Sequence, residues 1–103
     1  MGFVLKQVGL NEFSGPAGVE FTIAIETDRG ALAGVASRYN GETRDGTVVR
    51  YRLAARHRHL VTTFVASDPA AVITISELDG AARRTLARRS ALDATVALRI
   101  TPE

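Results

Sequence analysis

Cysteine is absent from this 103-residue chain, and so is tryptophan; lysine occurs once, at Lys6. Without cysteine there is no disulfide framework, thiolate zinc site, iron–sulfur cluster or thiol nucleophile. Either redox environment is therefore tolerated. No Asn-x-Ser/Thr sequon occurs, and no stretch approaches the roughly 18–20 apolar residues that span a membrane as a helix. The opening residues, Met1-Gly2-Phe3-Val4-Leu5-Lys6, lack the basic segment and apolar run of a signal peptide. The expectation is a soluble cytoplasmic protein forming one β domain over residues 1–103, with no cofactor. A chain of this length buries roughly two-thirds of its unfolded surface, enough to fold without a structural metal.

Charge is scarce in net terms, +2, but unevenly placed. Before Arg50, acids outnumber bases. From there the balance reverses through Arg50, Arg52, Arg56, Arg58, Arg83, Arg84, Arg88, Arg89 and Arg99. Arginine rather than lysine suits bidentate contact with anions. A genomic bias toward Arg and Ala accounts for the same usage without any function.

What the sequence does contain is alternation. In Val19-Glu20-Phe21-Thr22-Ile23-Ala24-Ile25-Glu26, every second residue is apolar, and Thr95 to Ile100 does the same. Period two sends one set of side chains to a core and the other to water. In Val48 to Leu53 the pattern turns Val49, Tyr51 and Leu53 inward and Arg50 and Arg52 outward. Leu60–Ala66 and Ala71–Leu78 are rich in β-branched residues, which suit a pleated surface. Turn clusters punctuate the runs at Asp28-Arg29-Gly30, Asn40-Gly41, Asp45-Gly46, Asp68-Pro69 and Asp79-Gly80. Ser14-Gly15-Pro16-Ala17-Gly18 reads as a longer loop. Strands are predicted over about 3–10, 19–28, 31–39, 47–56, 60–67, 71–78, 83–90 and 94–101. Residues 81–91 contain good helix formers, but their arginines would spread around a helix and leave no apolar stripe. A strand returning through the Asp79-Gly80 turn is the preferred reading. The expected fold is all-β, an eight-stranded antiparallel meander closed into a small barrel, with a two-layer β-sandwich as the alternative.

Catalytic signatures are missing. None of the five serines lies in a Gly-x-Ser-x-Gly elbow or a Ser-x-x-Lys arrangement. His57 and His59, within Arg56-His57-Arg58-His59, share a strand face in principle. The flanking arginines repel a cation and no third ligand is local, so exposed turn histidines are expected and no metal. Gly15-Pro16-Ala17-Gly18 lacks the lysine and helix start of a phosphate loop.

Two groups of residues carry what chemistry remains. Tyr39 and Tyr51 fall on apolar faces; Glu77 follows Ile73 and Ile75 on the inward side of its strand, and the hairpin brings Arg84 near it. A buried Glu–Arg pair beside two phenols would need satisfaction, and a small polar pocket holding an apolar ligand would supply it. The simpler reading has Glu77 and Arg84 pairing at a solvent-exposed strand end. The second group is Arg50, Arg52, Arg83 and Arg88, exposed guanidiniums suited to carboxylates. The leading expectation is a non-catalytic protein-interaction or self-assembly module, binding a protein partner or a second copy through these arginines. A barrel binding or isomerising a small molecule is the rival. Nucleic acid is a third possibility, weakened by the shortage of exposed aromatics for base stacking; no membrane partner is expected.

Overall fold

A computed structural model describes residues 2–37, 43–45, 48–90 and 96–103 of the chain. Among them there is no helix, and so none long and apolar enough to cross a membrane. Ten strands occur: β1 (Lys6–Gly9), β2 (Glu12–Gly15), β3 (Glu20–Thr27), β4 (Leu32–Ser37), β5 (Thr43–Asp45), β6 (Val48–Arg52), β7 (Leu60–Ala66), β8 (Val72–Asp79), β9 (Ala82–Ser90) and β10 (Val96–Pro102).

They form two five-stranded sheets, ordered β1-β2-β10-β7-β4 and β5-β6-β3-β8-β9. All pairings are antiparallel except that of β2 with β10. The all-β expectation holds, whereas no closed barrel is found. The meander is replaced by a different order, since only β1–β2, β5–β6 and β8–β9 join consecutive strands. Local turn signals report that a chain reverses; they carry no information on which sheet receives the next strand. Ala82–Ser90 forms a strand, as preferred. The two unanticipated strands are short: β2 begins two residues past the expected end of the first run and takes Ser14 and Gly15 from the expected loop, and β5 has three residues.

The alternation does what its period dictates. Phe21, Ile23 and Ile25 of β3, Val49 and Tyr51 of β6, and Ile73 and Ile75 of β8 are buried on one face of their sheet. Leu5, Phe13, Leu60, Leu98 and Ile100 come from the other sheet and its approach, and all join one hydrophobic cluster. Each such side chain contributes about 1.5–3 kcal/mol by leaving water. The polar partners face out: Arg50 sits in register with Thr22, and Arg52 with Glu20.

One corner shows how the sheets are joined. The segments β3-to-β4 and β7-to-β8 cross there side by side. Asp28 Oδ1 accepts from the Val72 N–H at 2.7 Å, Ser67 Oγ accepts from Ala31 N–H at 2.8 Å, and Ser67 N–H donates to the Ala31 carbonyl at 2.7 Å. Gly30 takes φ 69° at this corner, and a Cβ there would stand 2.7 Å from Ser67 Oγ. Glycine is thus required both by conformation and by space.

Candidate functional site

Glu77 occupies a position where the strand pattern calls for an apolar residue. It lies opposite Ile23 on β3 and opposite Arg84 on β9, with 2% of its surface exposed. An ionised carboxylate in such a place must be paired and hydrogen-bonded. Its partners come from two directions. Arg84 Nη2 donates to Oε1 at 2.7 Å, and Val4 N–H donates to Oε2 at 2.8 Å. Leu5 N–H is shared between both oxygens at 3.3 and 3.4 Å.

Arg84 completes the clasp. Its Nη2 also donates to the Leu5 carbonyl, and its guanidinium carbon stands 4.9 Å over the Phe3 ring. The extended segment before β1 is therefore held by a carboxylate that reads its N–H groups and an arginine that reads its carbonyl and its aromatic ring. Five residues along β9, Arg89 donates to Asn11 Oδ1 in the β1–β2 turn and to the Arg88 carbonyl at 2.7 Å. Arg84 and Arg89 are the inward-facing polar positions of β9, in register with Glu77 and Ile73. Arg84 reaches the segment before β1, and Arg89 reaches the β1–β2 turn. A shift of register between Ile75 and Ser76 inserts Leu86 as the extra residue, which keeps Arg84 and Ala87 both inward.

The proposed ligand-lining set is thus placed as follows. Tyr51 is buried and stacks on Phe21, with ring centroids 5.6 Å apart and planes at 29°. It shares the inward face with Glu77, with β3 between their strands. Tyr39 lies outside the described residues. A half-open cleft of about 180 Å3 adjoins Glu77, bordered by Gly2, Val4, Glu20, Phe21 and Asp79 rather than by Tyr51 or Arg84. The carboxylate oxygens are spoken for by the chain's own N-terminal segment. Glu77 is buried rather than solvent-exposed, while the Arg84 side chain is 42% exposed.

The second set comes together on one surface. Arg50 and Arg52 of β6 and Arg83 and Arg88 of β9 all project from the outward face of the sheet β5-β6-β3-β8-β9. Arg50, Thr22, Leu78 and Arg83 lie in one row across four strands. Three strand spacings put the two arginine columns about 14 Å apart. Between them the surface is floored by small and β-branched residues, among them Ala24 and Ser76, both 2% exposed. Arg83 pairs with Glu26 at 2.8 Å. Because Arg83 is level with Leu78 and Glu26 with Thr74, that ion pair crosses β8 diagonally above Ser76. Among the described residues no ion pair holds Arg50, Arg52 or Arg88.

The histidines are half-buried rather than exposed. His57 Nδ1 accepts from the Ala54 N–H at 2.8 Å, and the His57 N–H donates to the Ala54 carbonyl at 2.9 Å, so the ring closes its own turn. Among the described residues no group of three or more His, Asp or Glu side chains is placed to hold a metal ion. The shared outward face of Arg50 and Arg52 was legible from alternation; the N-terminal clasp was not, because nothing local in Phe3–Leu5 announces a partner more than seventy positions away.

No protein-family model matches the chain, and no curated protein and no solved structure is found to match it.

Proposed function

We propose that the chain is a single β domain with its two sheets stacked as a two-layer sandwich, and that it is a non-catalytic interaction module docking an acidic partner protein. The observation that carries this reading is the common outward face of Arg50, Arg52, Arg83 and Arg88, three of them without an ion-pair partner among the described residues. Guanidiniums present planar donor pairs that match carboxylates, and an exposed row of them adds both contact and steering. A second copy is a poor occupant of this face. Stacking it about a twofold axis in the sheet plane sets Arg83 over Arg88, or Arg50 over Arg83, depending on the axis direction.

The test uses poly-L-glutamate as the acidic polypeptide and single-stranded oligo-dT as the competing polyanion, by fluorescence anisotropy at low salt. Tighter binding of polyglutamate, lost in Arg50→Glu/Arg88→Glu but kept in Arg29→Glu/Arg58→Glu, supports the reading. Both double variants change net charge equally, so equal loss in both reduces the effect to bulk charge and removes the site. Tighter binding of oligo-dT transfers the surface to nucleic acid.

A further inference from the structure

The outward face says where an acidic partner would be attracted; the edge of the same sheet says what shape it would have. Among the described residues β9 is the longest strand, nine residues, and it ends its sheet. One side is paired with β8 from Asp79–Ala82 to Val72–Ser90. Along Ala82–Arg89 no main-chain hydrogen bond among the described residues reaches β9 from its other side. Among the described residues, the side chains of Arg84 and Arg89 supply the hydrogen bonds from β9 to the N-terminal segment and the β1–β2 turn. An edge of this kind is a row of unused donors and acceptors, a template for an added strand.

Charge decides which strand could be added. The edge reads Arg83-Arg84, three uncharged residues, then Arg88-Arg89. If β9 of a second copy were added antiparallel about Leu86, Arg83 would oppose Arg89 and Arg84 would oppose Arg88. Like charges directly opposite destabilise a ladder, and opposite charges support it. Self-pairing is therefore discouraged while an acidic strand is favoured. The contacts Arg84 and Arg89 already make leave part of each guanidinium's five donors unused.

We infer that the partner contributes an extended acidic segment that adds to β9 as a sixth strand, with two acidic pairs separated by three uncharged residues. This rests on the acidic-partner reading and specifies its geometry. The main chain supplies the ladder and the carboxylate spacing supplies the choice of segment, as in other cases of strand addition.

The experiment uses the full chain and the peptide acetyl-Glu-Glu-Thr-Val-Thr-Glu-Glu-amide. A second peptide of the same sequence carries N-methyl groups on every main-chain nitrogen, which keeps its charge and removes its ladder donors. The expected result is binding of the parent, slowed amide exchange within Ala82–Ser90, and at least about tenfold weaker binding of the methylated peptide. Equal affinity of the two peptides, or slowed exchange that falls outside β9, overturns strand addition while leaving acidic docking intact if Arg50→Glu/Arg88→Glu still abolishes binding. Failure of both peptides and of polyglutamate at low salt removes both readings.

Discussion

Replacing Glu77 by glutamine tests the clasp that ties the N-terminal segment to the sheet. The carboxylate takes one short main-chain bond from Val4, a longer shared one from Leu5, and a 2.7 Å contact from Arg84. Glutamine is nearly isosteric, so no cavity is made. It leaves one oxygen for three donors and turns an NH2 toward the others. Breaking a buried pair by removing one partner costs about 3–5 kcal/mol. Arg84 is 42% exposed and regains water, which discounts that figure. Lost charge-assisted bonds from the main chain, worth about 1.5–3 kcal/mol each, are only partly recovered by the amide. The net expectation is about 3 kcal/mol, or a fall in Tm of roughly 15 °C for a chain of this size. Urea denaturation of Glu77→Gln and native-state amide exchange measure it together. Exchange should quicken most at Val4 and Leu5, whereas Ile23 and Ile75 should follow only the global loss. A change below about 1 kcal/mol, or an exchange profile that speeds uniformly, would refute the claim that Glu77 acts by holding this segment.

Three further outcomes are expected. Gly30→Ala meets both φ 69° and a Cβ 2.7 Å from Ser67 Oγ, and should cost about 1–3 kcal/mol; Gly80→Ala, at φ 59° with open space around it, should cost no more than about 1–2 kcal/mol. Thermal melts of the pair check the order, and reversed costs would show that steric contact does not govern this corner. Tyr51→Ala empties a fully buried position stacked on Phe21 and should cost about 3–5 kcal/mol in urea. Arg83→Ala removes a pair whose side chains are 52% and 45% exposed, and should change stability by no more than about 1 kcal/mol, less at high salt; a larger loss would mean the arginine surface is structural.

Strands were legible in the sequence wherever burial has a period. Phe21, Ile23 and Ile25 could only be inward together, and the arginines beside Tyr51 could only be outward. Sheet order was not legible, because the rule that fixes it is which inward faces meet, a property of distant segments. The site divides along the same line. Arg50 and Arg52 are two residues apart and their shared face follows at once; their placement on one surface with Arg83 and Arg88 depends on β3 and β8 lying between. Glu77 announced itself as a misfit in the pattern, and Arg84 as its hairpin neighbour. The occupant of that polar space turned out to be main chain, which no side-chain pattern could disclose. Counting polar side chains alone leaves the backbone's own donors out of the reckoning.

The arginines of β9 bear two explanations that differ in what they forbid. As edge protection, any strong charge would serve, and its sign and spacing would be indifferent. As a recognition edge, both matter, because a carboxylate must meet a guanidinium at a defined level of the ladder. The two inward arginines already use their reach to tie the β1–β2 turn and the N-terminal segment, so protection alone would be met by them together with the register shift at Leu86. Arg83 and Arg88 add nothing to that closure. Exchanging both for glutamate separates the cases. Protection of this sign-indifferent kind predicts a folded chain that stays unassociated, even though each new glutamate would now oppose an inward arginine in the antiparallel pairing about Leu86. Recognition predicts the same folded chain with its choice of peptide changed, losing the acidic heptapeptide and gaining one with arginine only at the two positions that face residues 83 and 88. Loss of the acidic peptide without gain of the two-arginine one, measured by anisotropy at low salt, would leave these two residues as contributors to surface potential rather than to a ladder.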